Sequence, residues 1–187
     1  MNVYDFDKTI YKTDSTTDFF LYSLRKHPKI LKYLPSIFTG WFKFYILKKG
    51  TKTQFKSKIF KFVLCINYEK DIKDFWDKNE HKIKHFYLNQ QKSDDVIISA
   101  SPAFLLEPIC NKLKIKHLMC SNVDVNTGAY NGVNCHGKEK VRRFREAFGT
   151  AAIDEFYSDS YSDTPLAEIS QKAFMVKGEK INPWVFK

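Results

Sequence analysis

Val3-Tyr4-Asp5-Phe6-Asp7-Lys8-Thr9 sets an apolar pair directly before two carboxylates spaced two apart. Val3-Tyr4 reads as a short strand that stops where the acids begin. Alternate residues of a strand share a face, and just past its end the backbone is free to aim both acids into one crevice. Open α/β sheets place their ligands in that crevice, at the carboxyl ends of the strands. Two acids in different environments can divide the work of nucleophile and general acid/base. Read alone, the same string is equally a solvated turn.

Downstream the pattern turns helical from about Ser15 to Leu88, with no strand alternation. Asp14, Ser15 and Thr16 offer N-caps for a helix carrying Phe19, Phe20, Leu21, Tyr22 and Leu24. Pro28 and Pro35 punctuate the chain beyond that helix. A further run from Asp71 to Tyr87 places Ile72, Phe75, Trp76, Ile83, Phe86 and Tyr87 on a broadly helical period.

From Ser93 the pattern becomes β/α. Val96-Ile97-Ile98 is a fully apolar strand, and Ser101-Pro102 is the expected N-cap and first residue of the next helix. That helix runs through Leu113, with Pro108 as an expected irregularity. His117 to Cys120 reads as a strand, Val123 to Val133 as a hairpin around Asn126-Thr127-Gly128 and Asn131-Gly132, and Val141 to Phe148 as a helix. Ile153 to Tyr157 is a strand, Pro165 to Lys172 a helix, and Ala173 to Val176 the last strand. Alternating strands and helices predict a doubly wound, mostly parallel, Rossmann-like sheet, with the helical stretch inserted after the first strand.

Three further groups fall at predicted strand ends or helix starts. The Ser99 hydroxyl should emerge where its strand ends, and the amides of Ala100 and Ser101 can join it around an anion. Both serines equally suit helix capping. Gly137-Lys138-Glu139-Lys140-Val141 opens a helix, and a lysine in a first turn opposes the helix dipole. An anion would hold such a lysine there; most of the basic residues of this helix must instead form a solvated face, and at most one of Lys138 and Lys140 points inward. Asp159-Ser160-Tyr161-Ser162-Asp163 follows another strand. It reads either as a helix-capping loop or, beside Asp5 and Asp7, as a set of hard oxygen ligands suited to Mg²⁺.

Taken in order, Asp5-x-Asp7-x-Thr9, Ser99, a lysine at 138 or 140, and Asp159-x-x-x-Asp163 resemble the four motifs of the haloacid dehalogenase superfamily. Their wording is similar to the phosphoserine-phosphatase-like branch, subfamily IB, and especially to its phosphatidylglycerophosphatase-C-like relatives. The resemblance implies a core at 1–14 and 89–187, with a helical cap at 15–88. It implies a Mg²⁺-dependent phosphomonoester hydrolase with an aspartyl-phosphate intermediate, Asp5 being the nucleophile and Asp7 the proton shuttle. Asp5, Asp7, Asp159 and Asp163 would hold the metal; Ser99, Ala100 and Lys140, or Lys138 in its place, would hold the phosphate. Gly-x-x-Lys-Val favours Lys140. Lys8 stands where the family often has Gly, with its side chain expected to point to solvent, and Ser158 where Gly is usual.

Composition bounds the rest. The 187 residues include 17 Phe and 10 Tyr, ample for one core, and carry a net charge of +10 that suits an anionic partner. Cys65, Cys110, Cys120 and Cys135 have no metal-binding spacing, which suits a reduced, cytoplasmic protein without a signal peptide. Between Arg25 and Phe62, basic residues including Lys43, Lys48, Lys49 and Lys52 interleave with Phe38, Trp41, Phe42 and Tyr45. This mixture suits peripheral contact with the inner face of an anionic membrane, or a cap whose aromatics pack internally. Lys32, Pro35, Gly40 and Lys43 interrupt the stretch too often for a transmembrane span. The expected partner is a phosphorylated small molecule or lipid phosphate, with nucleic acid disfavoured. The competing reading is a non-enzymatic anionic-lipid or nucleic-acid binding protein with a vestigial metal site.

Overall fold

The computed structural model of the chain describes residues 1–50 and 52–186, without the side chains of residues 52 and 53. Six strands form one sheet: β1 (Val3–Tyr4), β2 (Val96–Pro102), β3 (His117–Ser121), β4 (Ile153–Ser158), β5 (Ser170–Lys177) and β6 (Lys180–Pro183). Their order is β3-β2-β1-β4-β5-β6. All neighbours are parallel except β5 and β6. The fold is thus the mostly parallel, Rossmann-like α/β sheet expected. The strand order reverses between β1 and β4, so the residues after these two strands flank the crevice where such sheets bind ligands.

Alternation along the strands splits the core in two. Tyr4, Ile97, Tyr157 and Val176 face one side of the sheet, while Val3, Val96, Ile98, Phe156 and Met175 face the other. The second face is covered by α7 (Lys138–Phe148) and α8 (Thr164–Ala167) through Phe144, Leu166 and Ala167.

The first face carries α6 (Ala103–Lys112) and the helices between β1 and β2. These are α1 (Ser15–Lys26), α2 (Leu34–Trp41), α3 (Lys52–Phe60), α4 (Tyr68–Asn79) and α5 (His85–Gln90). Phe19, Phe62, Phe75 and Trp76 from this helical segment join Tyr4, Phe6 and Leu105 in one continuous apolar cluster. The Trp76 indole donates to the Leu105 carbonyl at 2.7 Å, which fixes α4 on α6. Asp14 caps α1 by accepting from the Thr17 amide at 2.7 Å.

Several local expectations are corrected. The run from Asp71 to Tyr87 is not one helix: α4 ends at Asn79, a 3-10 turn covers Glu80–Lys82, and Ile83 and Lys84 are extended, with the Lys84 amide donating to the Ile10 carbonyl. Pro102 rather than Ser101 is the N-cap of α6, since β2 extends through Pro102. The expected hairpin is a single bridge between Val123 and Tyr130. Gly128 in its turn has φ +70° and lies against the Phe60 and Lys61 backbone, where a Cβ would sit 2.7 Å from the Phe60 carbonyl oxygen. The helix expected from Pro165 to Lys172 ends at Ala167, as β5 begins at Ser170. The antiparallel strand β6 comes after β5, the strand expected to be the last.

Candidate active site

Asp5 leaves β1 with its amide still paired to the Tyr157 carbonyl of β4, at 2.9 Å. Its carboxylate is buried. Oδ1 accepts from Lys140 Nζ at 2.7 Å, and Oδ2 accepts from the Thr9 hydroxyl at 3.2 Å. Thr9 Oγ1 in turn accepts from the Asp159 amide at 3.0 Å, so one buried threonine links the loops after β1 and β4.

Lys140 lies in the first turn of α7; its side chain is 2 % exposed, and its ammonium sits between Asp5 Oδ1 and Asp163 Oδ2, each at 2.7 Å. These are the anions that the helix-dipole argument required. Lys138, two residues earlier, is exposed and does not line the crevice. Glu139 turns outward to Arg142 and Arg143, and hydrogen bonding to Arg142 leads the pull that lowers its carboxyl to about 2.

Asp7 faces a different set of partners. Oδ1 accepts from the Ser15 amide at 2.7 Å, and Oδ2 accepts from the Ser101 hydroxyl at 2.5 Å. Ser101 was expected to cap a helix; its hydroxyl instead serves an acid 94 residues away. The Ser99 hydroxyl accepts from the Ser101 amide at 3.1 Å and lines the same crevice beside Ala100.

Ser158, standing where glycine was the usual residue, donates to Asp163 Oδ2 at 2.8 Å and accepts from the Ser160 amide. Asp163 Oδ1 is buried with no hydrogen-bond partner. Lys8 has φ +58°, the left-handed region that favours glycine. Its exposed side chain lines the crevice rather than pointing only to bulk water, and its charge pulls on the Asp159 carboxyl.

Burial raises both leading acids, against different partners. Burial pushes Asp7 up to about 6, Asp14 adds to the rise, and the hydrogen bonds of Ser101 and Ser15 oppose it. Burial also raises Asp5, against the pull of Lys140 and with the help of Asp163. Burial disfavours the Lys140 charge, yet Asp5 and Asp163 outweigh it and hold the ammonium above the ordinary lysine range. Asp159 is raised by burial.

The crevice encloses about 330 Å³. Sequence reasoning missed five of its lining residues: Asp14, Lys56, His136, Ser160 and Ser162. Lys56 reaches in from α3, donating to Asn134 Oδ1 at 3.2 Å and to the Ala100 carbonyl at 3.4 Å. Nothing in the sequence separates it from the other lysines of that segment. His136 precedes Gly137-Lys138, and that adjacency was the available signal.

The donors suit a hard cation. Asp5, Asp159 and Asp163 supply carboxylate oxygens beside one orphaned atom, Asp163 Oδ1. Among the described residues no group of three or more His, Cys, Asp or Glu side chains is already drawn together around a metal position. Mg²⁺ keeps several waters of its own and does not require a dedicated all-protein cage.

Comparison with known proteins agrees with this fold. Residues 3–168 match the haloacid dehalogenase-like hydrolases. The chain belongs to that family. It is similar to protein CicA of Caulobacter vibrioides (strain NA1000 / CB15N), 34% identical over 83 residues. That match covers 41% of this chain and only 37% of CicA. A protein of unknown function from Bordetella pertussis Tohama I has a similar fold, with TM-score 0.71, 16% identity, and coverage of 92% of this chain and 87% of that one. A phosphoserine phosphatase holding a phospho-aspartyl intermediate analogue aligns with TM-score 0.53 and 15% identity, over 91% of this chain and 83% of that one. This member of the haloacid dehalogenase-like hydrolase family thus has a phosphoserine phosphatase among its structural neighbours.

Proposed function

We propose that this hydrolase is a Mg²⁺-dependent phosphomonoesterase that forms an aspartyl-phosphate on Asp5. The observation that carries the reading is the convergence of Asp5, Asp7, Ser99, Lys140, Asp159 and Asp163 on one crevice. The phospho-aspartyl analogue in the similar phosphatase supports the same intermediate.

Asp5, its two carboxylate oxygens oriented by Lys140 and Thr9 respectively, attacks phosphorus with one of them. Phosphoryl transfer depends on positioning and charge neutralisation more than on covalent machinery. Asp7, raised by burial, protonates the leaving alkoxide. The ester oxygen departs as an alcohol, and Asp7, now a carboxylate, takes a proton from the water that attacks the aspartyl-phosphate. Inorganic phosphate leaves, and Asp5 returns as a carboxylate. Ser99, the Ala100 amide and Lys140 hold the phosphoryl oxygens as charge shifts.

The metal would be held by Asp5, the Asp7 carbonyl, Asp159 and Asp163. When bound, Mg²⁺ supplies the positive charge that lets an anionic nucleophile approach an anionic phosphate.

Residues 15–88 act as a cap over the crevice, with Lys56 as its inward cation. A cavity of about 330 Å³ suits a small phosphorylated metabolite or the phosphate end of a lipid. Four free cysteines suit a reducing compartment such as the cytoplasm.

Release of p-nitrophenol from p-nitrophenyl phosphate tests the reading. We expect turnover that requires Mg²⁺, ceases with EDTA and is lost in Asp5→Asn. Equal turnover in wild type and Asp5→Asn would overturn it.

A further inference from the structure

Leu34, Phe38, Trp41, Phe42 and Tyr45 recur at intervals that stack them on one side of a helix, and all five are exposed. They lie on α2 and on the π-helical turn Phe42–Ile46 that continues it. The Phe38 and Trp41 rings are 5.9 Å apart and those of Trp41 and Tyr45 are 6.1 Å apart, forming an aromatic row open to solvent. Half of the sixteen exposed large apolar side chains among the described residues fall between Leu31 and Leu47. Single exposed apolar residues are ordinary on a protein surface; a contiguous stripe is not.

The opposite side of this helix is already used. Phe44 stacks on Phe55 of α3, and Gly40 is buried where a Cβ would sit 2.7 Å from the Lys58 side chain. A cavity of about 480 Å³ lies along that inner seam. Packing on α3 therefore explains the inner residues and reaches the outer row only at Tyr45, whose ring lies 5.9 Å from that of Phe55.

Charge identifies the partner. From Phe19 to Tyr68 the chain carries Arg25 and ten lysines and not one Asp or Glu. The remainder has 20 basic against 21 acidic residues, so the whole net charge of +10 originates in this segment. Lys29 and Lys32 precede the aromatic row and Lys48 and Lys49 follow it, all exposed; the side chain of Lys52 lies outside the described residues. A second copy of the same surface would bring like charges together, which costs affinity. An anionic surface with an apolar interior satisfies both features. We propose that the outer face of Leu34–Ile46 docks on the surface of an anionic lipid bilayer.

The face lies in the membrane plane and does not span it. Leu34 to Ile46 makes a rod of about 20 Å, short of the roughly 30 Å hydrocarbon core. No helix among the described residues is long and apolar enough to cross a membrane. Tyrosine and tryptophan suit the headgroup boundary, where the ring is buried and the polar edge stays wet. The flanking lysines meet anionic headgroups at short range. This docking does not depend on the hydrolase reading, and its test contains no activity measurement.

Co-sedimentation of the full chain with vesicles tests it, comparing pure phosphatidylcholine with phosphatidylcholine containing phosphatidylglycerol. We expect binding to the anionic vesicles, reduced by salt, and little binding to the neutral ones. Phe38→Ser/Trp41→Ser should weaken it about tenfold or more, and Lys48→Glu/Lys49→Glu about fivefold per lysine. Trp76 and Trp184 are buried, so Trp41 is the tryptophan that reports insertion. Its emission should shift to the blue with anionic vesicles, and Trp41→Phe should lose the shift while sedimenting with them. No binding to anionic vesicles overturns the proposal, as does binding that neither double variant changes. Lipid-free self-association abolished by Phe38→Ser/Trp41→Ser overturns it too, by assigning the face to a second copy.

Discussion

Lys84 donates from Nζ to the carbonyl oxygen of Lys8 at 2.6 Å, and to that of Gly178 at the same distance. One buried ammonium thus ties the turn after the two leading acids to the turn between β5 and β6. Lys8 occupies left-handed backbone that costs a non-glycine residue about 1–2 kcal/mol, and the Lys84 contact helps to hold it there. Replacing Lys84 by Met would leave two carbonyls without their donor. We expect a loss of about 3 kcal/mol in urea unfolding, with slower hydrolysis in the fraction that remains folded. An unchanged unfolding midpoint would contradict this role.

The two lysines of the α7 entry separate cleanly. Lys140 is buried between Asp5 and Asp163, whereas Lys138 is exposed. Lys140→Met should lower kcat by about a hundredfold or more, the scale of losing an electrostatic stabiliser in a water-poor site. Lys138→Met should stay within about twofold, as expected of a solvated charge. Steady-state kinetics on p-nitrophenyl phosphate measure both; comparable losses would mean that the site uses both cations.

The Ser101 hydroxyl opposes the rise of the Asp7 carboxyl. Ser101→Ala should raise that carboxyl further. A hydrogen bond of about 1 kcal/mol corresponds to roughly 0.7 on the pH scale. With Asp7 as the acid, the alkaline limb of the kcat profile should move to higher pH by about that amount. A profile that keeps its shape and merely drops in height would assign Ser101 a packing role.

Asp7 also makes stability depend on pH, with a sign that can be worked out. Its carboxyl loses its proton near 3.8 in an unfolded chain and near 6 in the folded one, where burial disfavours the charge. Between these values the folded state holds more protons, so stability falls as pH rises through the window. Asp7→Asn removes this dependence. In EDTA, the stability of Asp7→Asn relative to wild type should therefore climb from pH 4 to pH 6 by about 2 kcal/mol. Thermal unfolding at several pH values checks it, and a constant or falling difference would contradict the assignment.

Much of this arrangement could be read before any coordinates. Val96–Ile98 and Ile153–Tyr157 are legible as strands because they are short apolar or aromatic runs that end at polar loops. Asp5, Asp7, Asp159 and Asp163 are legible because each follows such a strand. Other features depend on tertiary contacts that leave no local mark. Lys84 is one lysine among many in the sequence and is buried only because two distant carbonyls converge on it. Ser101 satisfies the local pattern of a helix cap, yet Asp7 wins its hydroxyl. The edge strand β6, Lys180–Pro183, is fully exposed and has no buried face to impose alternation. Its neighbour Trp184 holds the open end of the β5–β6 hairpin instead, its backbone amide donating to the Ala173 carbonyl at 2.8 Å.

The central claim is that Asp5 carries the phosphoryl group during turnover. It is tested most directly by quenching the Mg²⁺-loaded enzyme in acid during turnover of p-nitrophenyl phosphate and mapping the modified peptide by mass. We predict a single phosphoryl increment on Asp5, absent from Asp5→Asn and longer-lived in Asp7→Asn, where the water lacks its base. Turnover at the wild-type rate with no phosphoryl group on Asp5, or with the increment on another residue, would contradict the account.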